Sequence, residues 1–525
     1  MDSVDRRNFL RGGSAAAGLA ALTGAALSGA ALSGAGLARG TAAEAASASA
    51  PGHAPDYRAP LWKLRRQLKG RLLLPGDKGY DAASAPANGR YDRVRPMAVA
   101  VCADEHDVAT CVDWARRYHV RPVARGGGHS YAGFSTTRGL LIDMSLLNRV
   151  HINKAQGTMT LGGGTLNGHL FKAMKGGHLF LPVGTCLGVG AGGLTLGGGL
   201  GYNTRWAGLT CDHLQSSRIV TADGDLRDIG ARHHGDLYWA CRGGAGGSFG
   251  INTSFTFDLL EVPRKTVSYY LAWWRGADAA VNAFVEFDKI LKKAPPAFNA
   301  VLLAQAAPVG KAGPREAMWV WTRGQYVGPL DELRDLIRPM LRAAGTPREL
   351  ELREIPFWEA QKMFADDPSA PHSFGDISRY ARRPVPKDAV QKMIDLVARC
   401  PSRTPDAHGS VWNLGWVGGD VVDRVPRTAT AYVHRGMKTL WRPTTVWPNQ
   451  APRSAGRRLV EWSQEVMDVL RPHTPDESYQ NFPNRLIGDW RREYYGENFP
   501  RLVQVKSRYD PHDLFRNQQS IPARL

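Results

Sequence analysis

The sequence predicts an α+β protein, on three observations. A strand, a helix and a second strand run into a glycine-rich turn near residue 126. A later glycine-dense stretch ends in alternating strands by Phe257, and beyond Pro263 strands rich in Trp and Tyr alternate with long helical segments. A chain of 525 residues with 43% hydrophobic content carries a sizeable core divided over two or three units. Charged residues at 22% exclude a disordered chain, and 58 glycines predict many tight turns and close backbone approaches.

The elements follow in order. Asp5-Arg6-Arg7-Asn8-Phe9-Leu10-Arg11 precedes an Ala/Gly/Leu/Ser-rich stretch to about Ala38, the pattern of a twin-arginine (Tat) export signal. Signal and linker are placed at residues 1–45, with several small residues from Leu37 to Ala50 as cleavage points. This predicts a folded protein passed to the Tat export machinery and a secreted or cell-envelope location. No other segment has 18 consecutive apolar residues, so no stable membrane span is expected.

After Tyr91 an apolar alternation through Val99, Val101 and Cys102 reads as a strand. Asp104-Glu105-His106-Asp107 with the periodic Val108, Cys111, Val112 and Ala115 reads as a capped helix. Residues 120–124 and 140–144 read as strands around the 126–128 turn, an α/β unit without the Rossmann fingerprint. Residues 217–222 form a strand closed by Asp223-Gly224, followed by an alternating strand through Phe257. Helical patterns at 279–291 and 330–344 fall in a second unit, residues 265–475, which reads as an α+β substrate domain, and residues 476–525 follow it.

The net charge of +19 is spread without any run of five Lys/Arg and without a nucleic-acid-binding motif, so it reads as a solvated basic surface with no nucleic-acid partner. Of six cysteines, Cys102 and Cys111 are spaced for a bridge. No C-x-x-C pair or Cys/His cluster suggests a metal.

The chemistry gathers in two glycine-rich turns. Arg125-Gly126-Gly127-Gly128-His129-Ser130-Tyr131 places backbone N–H groups where a turn cradles a pyrophosphate. Gly184-Thr185-Cys186-Leu187-Gly188-Val189-Gly190 carries a second nucleophile, and Gly192-Gly193-Leu194-Thr195-Leu196-Gly197-Gly198-Gly199-Leu200-Gly201-Tyr202 follows directly. Together these closely resemble the berberine-bridge-enzyme-like FAD-linked oxidases, of the vanillyl-alcohol-oxidase or PCMH type. They are most similar to the bicovalent subgroup of glucooligosaccharide oxidase and aclacinomycin oxidoreductase. Tyr509-Asp510-Pro511 through Gln519-Ser520-Ile521 resembles the closing segment of that family.

The resemblance implies a two-subdomain FAD-binding domain at 91–264 and a substrate domain at 265–475 with an antiparallel sheet covered by helices. It also implies a segment 476–525 returning to the flavin. FAD is expected to be bicovalent, with His129 on the 8α-methyl carbon and Cys186 as the second link. Arg125, Gly126, Gly127, Gly128, Ser130, Val189, Gly190, Gly193, Gly198, Tyr202, Gly250, Ile251 and Asn481 are the further cofactor-binding candidates. Val189 matches a position that gates oxygen, which implies O2 as acceptor. Ser478-Tyr479-Gln480-Asn481-Phe482 resembles the segment whose first tyrosine supplies the base in sugar-oxidising relatives, although Phe482 and Asn484 replace its second Tyr and its Asp.

Tyr479 is therefore the candidate base and Tyr131 a second catalytic phenol. A free phenol titrates near pH 10, so a tyrosinate at pH 7 needs roughly 4 kcal/mol of stabilisation, expected from nearby cations. His434, Arg435, Lys438, Trp441 and Arg442 are candidates to line the substrate site, and Trp412, Trp416, Trp441 and Trp447 to stack on sugars. The expected activity is oxidation of an alcohol, with an oligosaccharide or other glycosyl hydroxyl foremost and peroxide as product. Alternatives are a tailoring oxidase of a glycosylated or aromatic natural product, a dehydrogenase with a non-oxygen acceptor, and a flavoprotein without turnover.

Overall fold

The structure is a computed structural model and describes residues 57–309, 313–366 and 372–524. The twin-arginine segment lies outside the described residues. Within them the predicted α+β architecture is borne out, as three main sheets with helices packed on them.

The first sheet pairs Ala98–Val101, Leu140–Asp143 and Pro122–Arg125 in parallel, with Arg71–Leu73 antiparallel at its edge. Parallel strands need a crossover, and the helix Glu105–Arg117 supplies it. Asp104 caps that helix by accepting from the N–H groups of His106 and Asp107. Val108, Cys111, Val112 and Ala115 turn its apolar face onto the strands. Asp107 is buried and accepts from the N–H groups of Lys69, Gly70 and Ala103, fixing the entry to the edge strand. The bridge that the spacing of Cys102 and Cys111 allows is not formed. Both thiols are free and fully buried, and the hydrogen bond to Cys111, together with burial, pushes the Cys102 thiol well above its ordinary value.

The second sheet is antiparallel, in the order Val150–Asn153, Thr158–Gly162, Ile251–Asp258, Leu214–Val220, Leu226–Gly230. The strand expected at 217–222 begins three residues earlier, at Leu214, and the chain turns at Gly224 with φ +89°.

The third sheet has eight antiparallel strands. Its order is Glu349–Ile355, Val267–Arg275, Trp319–Val327, Phe298–Gln305, His408–Leu414, Thr439–Trp447 and Ser373–Asp376, with Arg379–Ala381 also paired to Thr439–Trp447. Helices Ala277–Lys293, Leu330–Ala344, Lys387–Ala398 and Arg453–Leu470 pack among its covering elements. Successive residues of a strand point to opposite faces. Ala300, Leu302 and Ala304 accordingly pack in one core cluster with these helices, whereas Val301 and Leu303 pack in another with Leu200, Tyr202 and Leu209 of the glycine-rich region. Both faces are thus covered, and Phe298–Gln305 is buried at every position.

The C-terminal residues pack on both units. In the helix Phe499–Tyr509, fully buried Lys506 donates from Nζ to Ser248 O (2.7 Å) and Phe515 O (2.6 Å) and pairs with Asp510 (2.6 Å). Asp510 in turn accepts from the N–H groups of Leu514 and Phe515.

Candidate cofactor and active site

The strand Pro122–Arg125 delivers the chain into the 126–128 turn, which reverses with Gly128 at φ +75°. A Cβ on Gly127 would lie 2.5 Å from both Gly188 O and Gly190 N, and one on Gly190 would lie 2.6 Å from Gly127 N. The two nucleophile-bearing loops are therefore in direct backbone contact, which only glycine permits here. His129 and Cys186 consequently line one cavity of about 490 Å³, within the size range of ligand and cofactor sites.

Every residue predicted for the site lines this cavity except Arg125 and Gly198. Arg125 is buried with its guanidinium turned away, donating to the carbonyls of Ala83 (2.8 Å), Ser84 (3.1 Å), Ala85 (3.1 Å) and Ser135 (2.9 Å). Burial pushes its pKa down to about 10, and its geometry is that of a structural clamp at the strand end. Gly198, at φ +119°, meets the Tyr432 ring, where a Cβ would come within 2.7 Å. By contrast, a Cβ on Gly193 would meet no atom of the described residues within 4 Å. That bare backbone, facing the cavity beside the glycine turn, fits the close approach of a large planar cofactor.

Burial lowers the His129 pKa and so favours the neutral imidazole, the nucleophilic form. Burial also raises the Cys186 thiol, opposed by hydrogen bonds from the N–H groups of Gly188 and Val189.

The opposite part of the cavity is aromatic. Tyr479 is fully buried, and its phenol oxygen accepts from Gly199 N (3.1 Å) and Asn481 Nδ2 (3.2 Å), while Asn481 is anchored on Leu194 O (2.9 Å). Burial outweighs these two donors and pushes the phenol above its ordinary value. The cation expected beside Tyr479 meets Tyr131 instead, where Arg442 Nη2 donates to the phenol oxygen at 2.8 Å. Phe482 explains the exchange. Its ring stands edge-on to both Tyr131 (5.3 Å) and Tyr479 (5.0 Å), with the Arg442 guanidinium 4.4 Å over its face. Arg442 is held by a bidentate contact to buried Asp376, Nε at 2.9 Å and Nη2 at 2.8 Å. Burial raises Tyr131 too, with Arg442 opposing it and Asp376 reinforcing it.

The other substrate-site candidates divide. Trp412, Trp416 and Arg442 line the cavity. Trp441 and Trp447 lie in the other core cluster, Trp441 stacked on Phe284. His434 bonds Glu477 (2.8 Å), Arg435 grips Asp212 (2.7 and 2.8 Å) and Lys438 pairs with Asp423 (3.1 Å), all away from the cavity. Arg323, Asp366 and Phe374 also line the cavity and were not foreseen. Arg323 had one legible signal, a lone cation inside an apolar strand, which must find a partner when buried.

The chain matches the family model "FAD binding domain" over residues 96–230 and "Berberine and berberine like" over residues 478–522. It is 32% identical over 464 residues to the uncharacterized FAD-linked oxidoreductase YgaK of Bacillus subtilis, a match covering 87% of this chain and 98% of that protein. Among solved structures it superposes on wild-type BBE-like 1 of Physcomitrella patens with TM-score 0.77 at 25% identity, covering 89% of this chain and 99% of that one. The Acremonium strictum glucooligosaccharide oxidase, whose structure is described as revealing a novel flavinylation, shares the fold with TM-score 0.76 at 23% identity, over 88% and 98% of the two chains. The glycine-lined cavity between a PCMH-type nucleotide-binding unit and a helix-backed antiparallel sheet, with identity running through nearly the whole length of a relative, makes this chain a member of the berberine-bridge-enzyme-like FAD-linked oxidoreductases.

Proposed function

We propose that this protein is an exported oxidase that holds FAD through both His129 and Cys186 and oxidises an alcohol, foremost a hydroxyl of an oligosaccharide or other glycosyl compound, with dioxygen as acceptor and hydrogen peroxide as product. One observation carries the reading. The Gly127 and Gly190 backbones touch, so an imidazole and a thiol from turns far apart in sequence face the same cavity. When bound, FAD would supply the two-electron redox chemistry that links oxidation of the alcohol to reduction of dioxygen.

The protein's own residues do the rest. The N–H groups of the 126–128 turn, which lines the cavity, would hold the pyrophosphate. Val189, on the cavity wall close behind Cys186, leaves a small side chain in the path of oxygen. Tyr131 is the better placed of the two phenols to take the hydroxyl proton, because Arg442 donates to its oxygen, and Tyr479 with Asn481 shapes the adjoining wall. Trp412 and Trp416 line the cavity and are the residues proposed to pack against a sugar ring. Of the arginines lining the cavity, Arg323 and Arg442 are each neutralised by an aspartate, which suits an uncharged substrate beside them. The aromatic lining of Tyr131, Phe374, Phe482 and Tyr479 favours a second reading, the tailoring of an aromatic or glycosylated natural product.

The test is a screen of alcohols and oligosaccharides followed by peroxide release and oxygen consumption. Turnover without oxygen uptake would make the protein a dehydrogenase, and failure of every substrate to bleach the flavin anaerobically would remove the catalytic reading. Tyr131→Phe should slow flavin reduction more than Tyr479→Phe, and the reverse order would return the base to Tyr479.

A further inference from the structure

We infer that the buried Asp366–Arg323 pair is a positioning device for Cys186, fastening the thiol loop to the large sheet so that sulfur meets the flavin ring. The inference rests on the double-link reading above.

The loop carrying Cys186 runs between the short strand Leu179–Phe180 and the helix Ala191–Leu196. Its neighbours on both sides of the cysteine are held by one residue. Asp366 N donates to Thr185 O at 3.1 Å and Leu187 N donates to Asp366 O at 3.0 Å, an isolated parallel bridge centred on Cys186. Thr185 Oγ1 adds a bond to Asp366 Oδ2 at 3.0 Å.

The other carboxylate oxygen of Asp366 takes Arg323 Nη2 at 3.0 Å, with the two side chains only 4% and 3% exposed. Arg323 belongs to the strand Trp319–Val327 and also donates from Nε to Tyr202 OH at 3.0 Å. A charge pair so deeply buried is costly unless every oxygen is satisfied. Here the carboxylate is spent on an arginine of the large sheet and on the residue preceding the cysteine. The sulfur is thus placed from the third sheet, whereas the turn before His129 is clamped within the N-terminal unit by Arg125.

Two separate supports imply separable links. Forming the sulfur link exchanges the thiol S–H and one ring C–H for a C–S bond. The two protons and two electrons released go to dioxygen, the acceptor proposed above, as hydrogen peroxide. The reaction requires the sulfur within bonding reach of one ring carbon, and a displacement on the order of 1 Å costs about a hundredfold in rate.

The test uses full-length holoprotein, denatured in the presence of iodoacetamide and digested, with the flavin-bearing and alkylated forms of the His129 and Cys186 peptides quantified by mass spectrometry. Wild type should show flavin on both peptides. Asp366→Asn and Arg323→Met should raise the alkylated fraction of Cys186 by about tenfold while His129 stays flavin-linked. Thr185→Val leaves the ion pair intact and decides the matter if the charge variants do not fold, with a rise in alkylated Cys186 in the same direction. Undiminished Cys186 linkage in the variants that fold overturns the inference, as does an equal loss of both links, which would mean general loosening. A wild-type Cys186 that is alkylated and carries no flavin overturns the double-link reading and the inference with it.

Discussion

Gly127→Ala tests whether backbone contact between the two loops is what brings the nucleophiles together. The added methyl would stand 2.5 Å from Gly188 O and Gly190 N and 3.1 Å from Val189 C, all backbone atoms that cannot rotate aside. Restoring those contacts to the 3.4 Å of ordinary van der Waals approach requires about 0.9 Å of separation between the loops. Overpacking of this kind costs about 1–3 kcal/mol, and each kcal/mol lowers the midpoint of a domain of roughly 200 residues by about 2–4 °C. The same shift carries Cys186 away from the His129 turn by a distance that matters for bond formation. The assay is paired, thermal unfolding together with flavin fluorescence in a denaturing gel. Gly193→Ala is the control, because its methyl meets no atom of the described residues within 4 Å. It should leave the stability of the flavin-free protein unchanged and reduce flavin uptake by filling the cradle. A Gly127→Ala protein with wild-type midpoint and both links complete would refute the reasoning.

Further expectations concern the charged groups and the links. Cys186→Ala should retain FAD through denaturation on His129 alone, and loss of all flavin would sink the double link. Arg442→Met leaves buried Asp376 without its guanidinium and should cost about 3–5 kcal/mol in urea unfolding. Because burial raises the Tyr131 phenol and Arg442 opposes that rise, the wild-type reductive rate should climb with pH without levelling off below about pH 10, and the climb should move further alkaline in Arg442→Met. A flat profile would exclude a phenolate base. Burial opposes ionisation of Asp212, yet the hydrogen bonds and charge of Arg435 outweigh it and hold the carboxyl below the ordinary carboxylate range. That pair therefore contributes stability above about pH 4 that is lost as the pH falls through the depressed pKa. Arg435→Gln should remove this acid-side slope in urea midpoints measured from pH 3 to 7. Lys506→Met strands buried Asp510 and should cost about 3–5 kcal/mol, and a loss well under 1 kcal/mol would show that the N–H donors of Leu514 and Phe515 suffice.

Much of the N-terminal unit was legible because its signals are local. Asp104 with a 3.6-residue apolar period defines the helix Glu105–Arg117, and the turn glycines announce the reversals that occur at Gly128 and Gly224. The helix Leu330–Ala344 has the expected limits, and the one expected at 279–291 extends two residues at each end, following Gly276 and giving way to extended chain at Ala294 before Pro295. Long-range relations were not legible. Thr185 meets Asp366 across 181 residues, and nothing local to either shows it. Tyr479 was found by its motif, but its surroundings depend on where Arg442 and Phe482 lie, which its neighbours in sequence do not encode.

What the sequence alone determined is the set of reactive groups and the backbone freedom around them: His129 and Cys186 in glycine turns, the α+β class, and the cofactor family these imply. The tertiary structure decided which groups face one another. Trp412 looks into the cavity while Trp441, paired with the very next residue Asn413 across the same two strands, packs into the other core. A strand alternates its side chains between two faces, but in a sheet buried on both, the apolar pattern is the same on each. Only docking against the glycine-rich unit makes one of those faces the wall of a site.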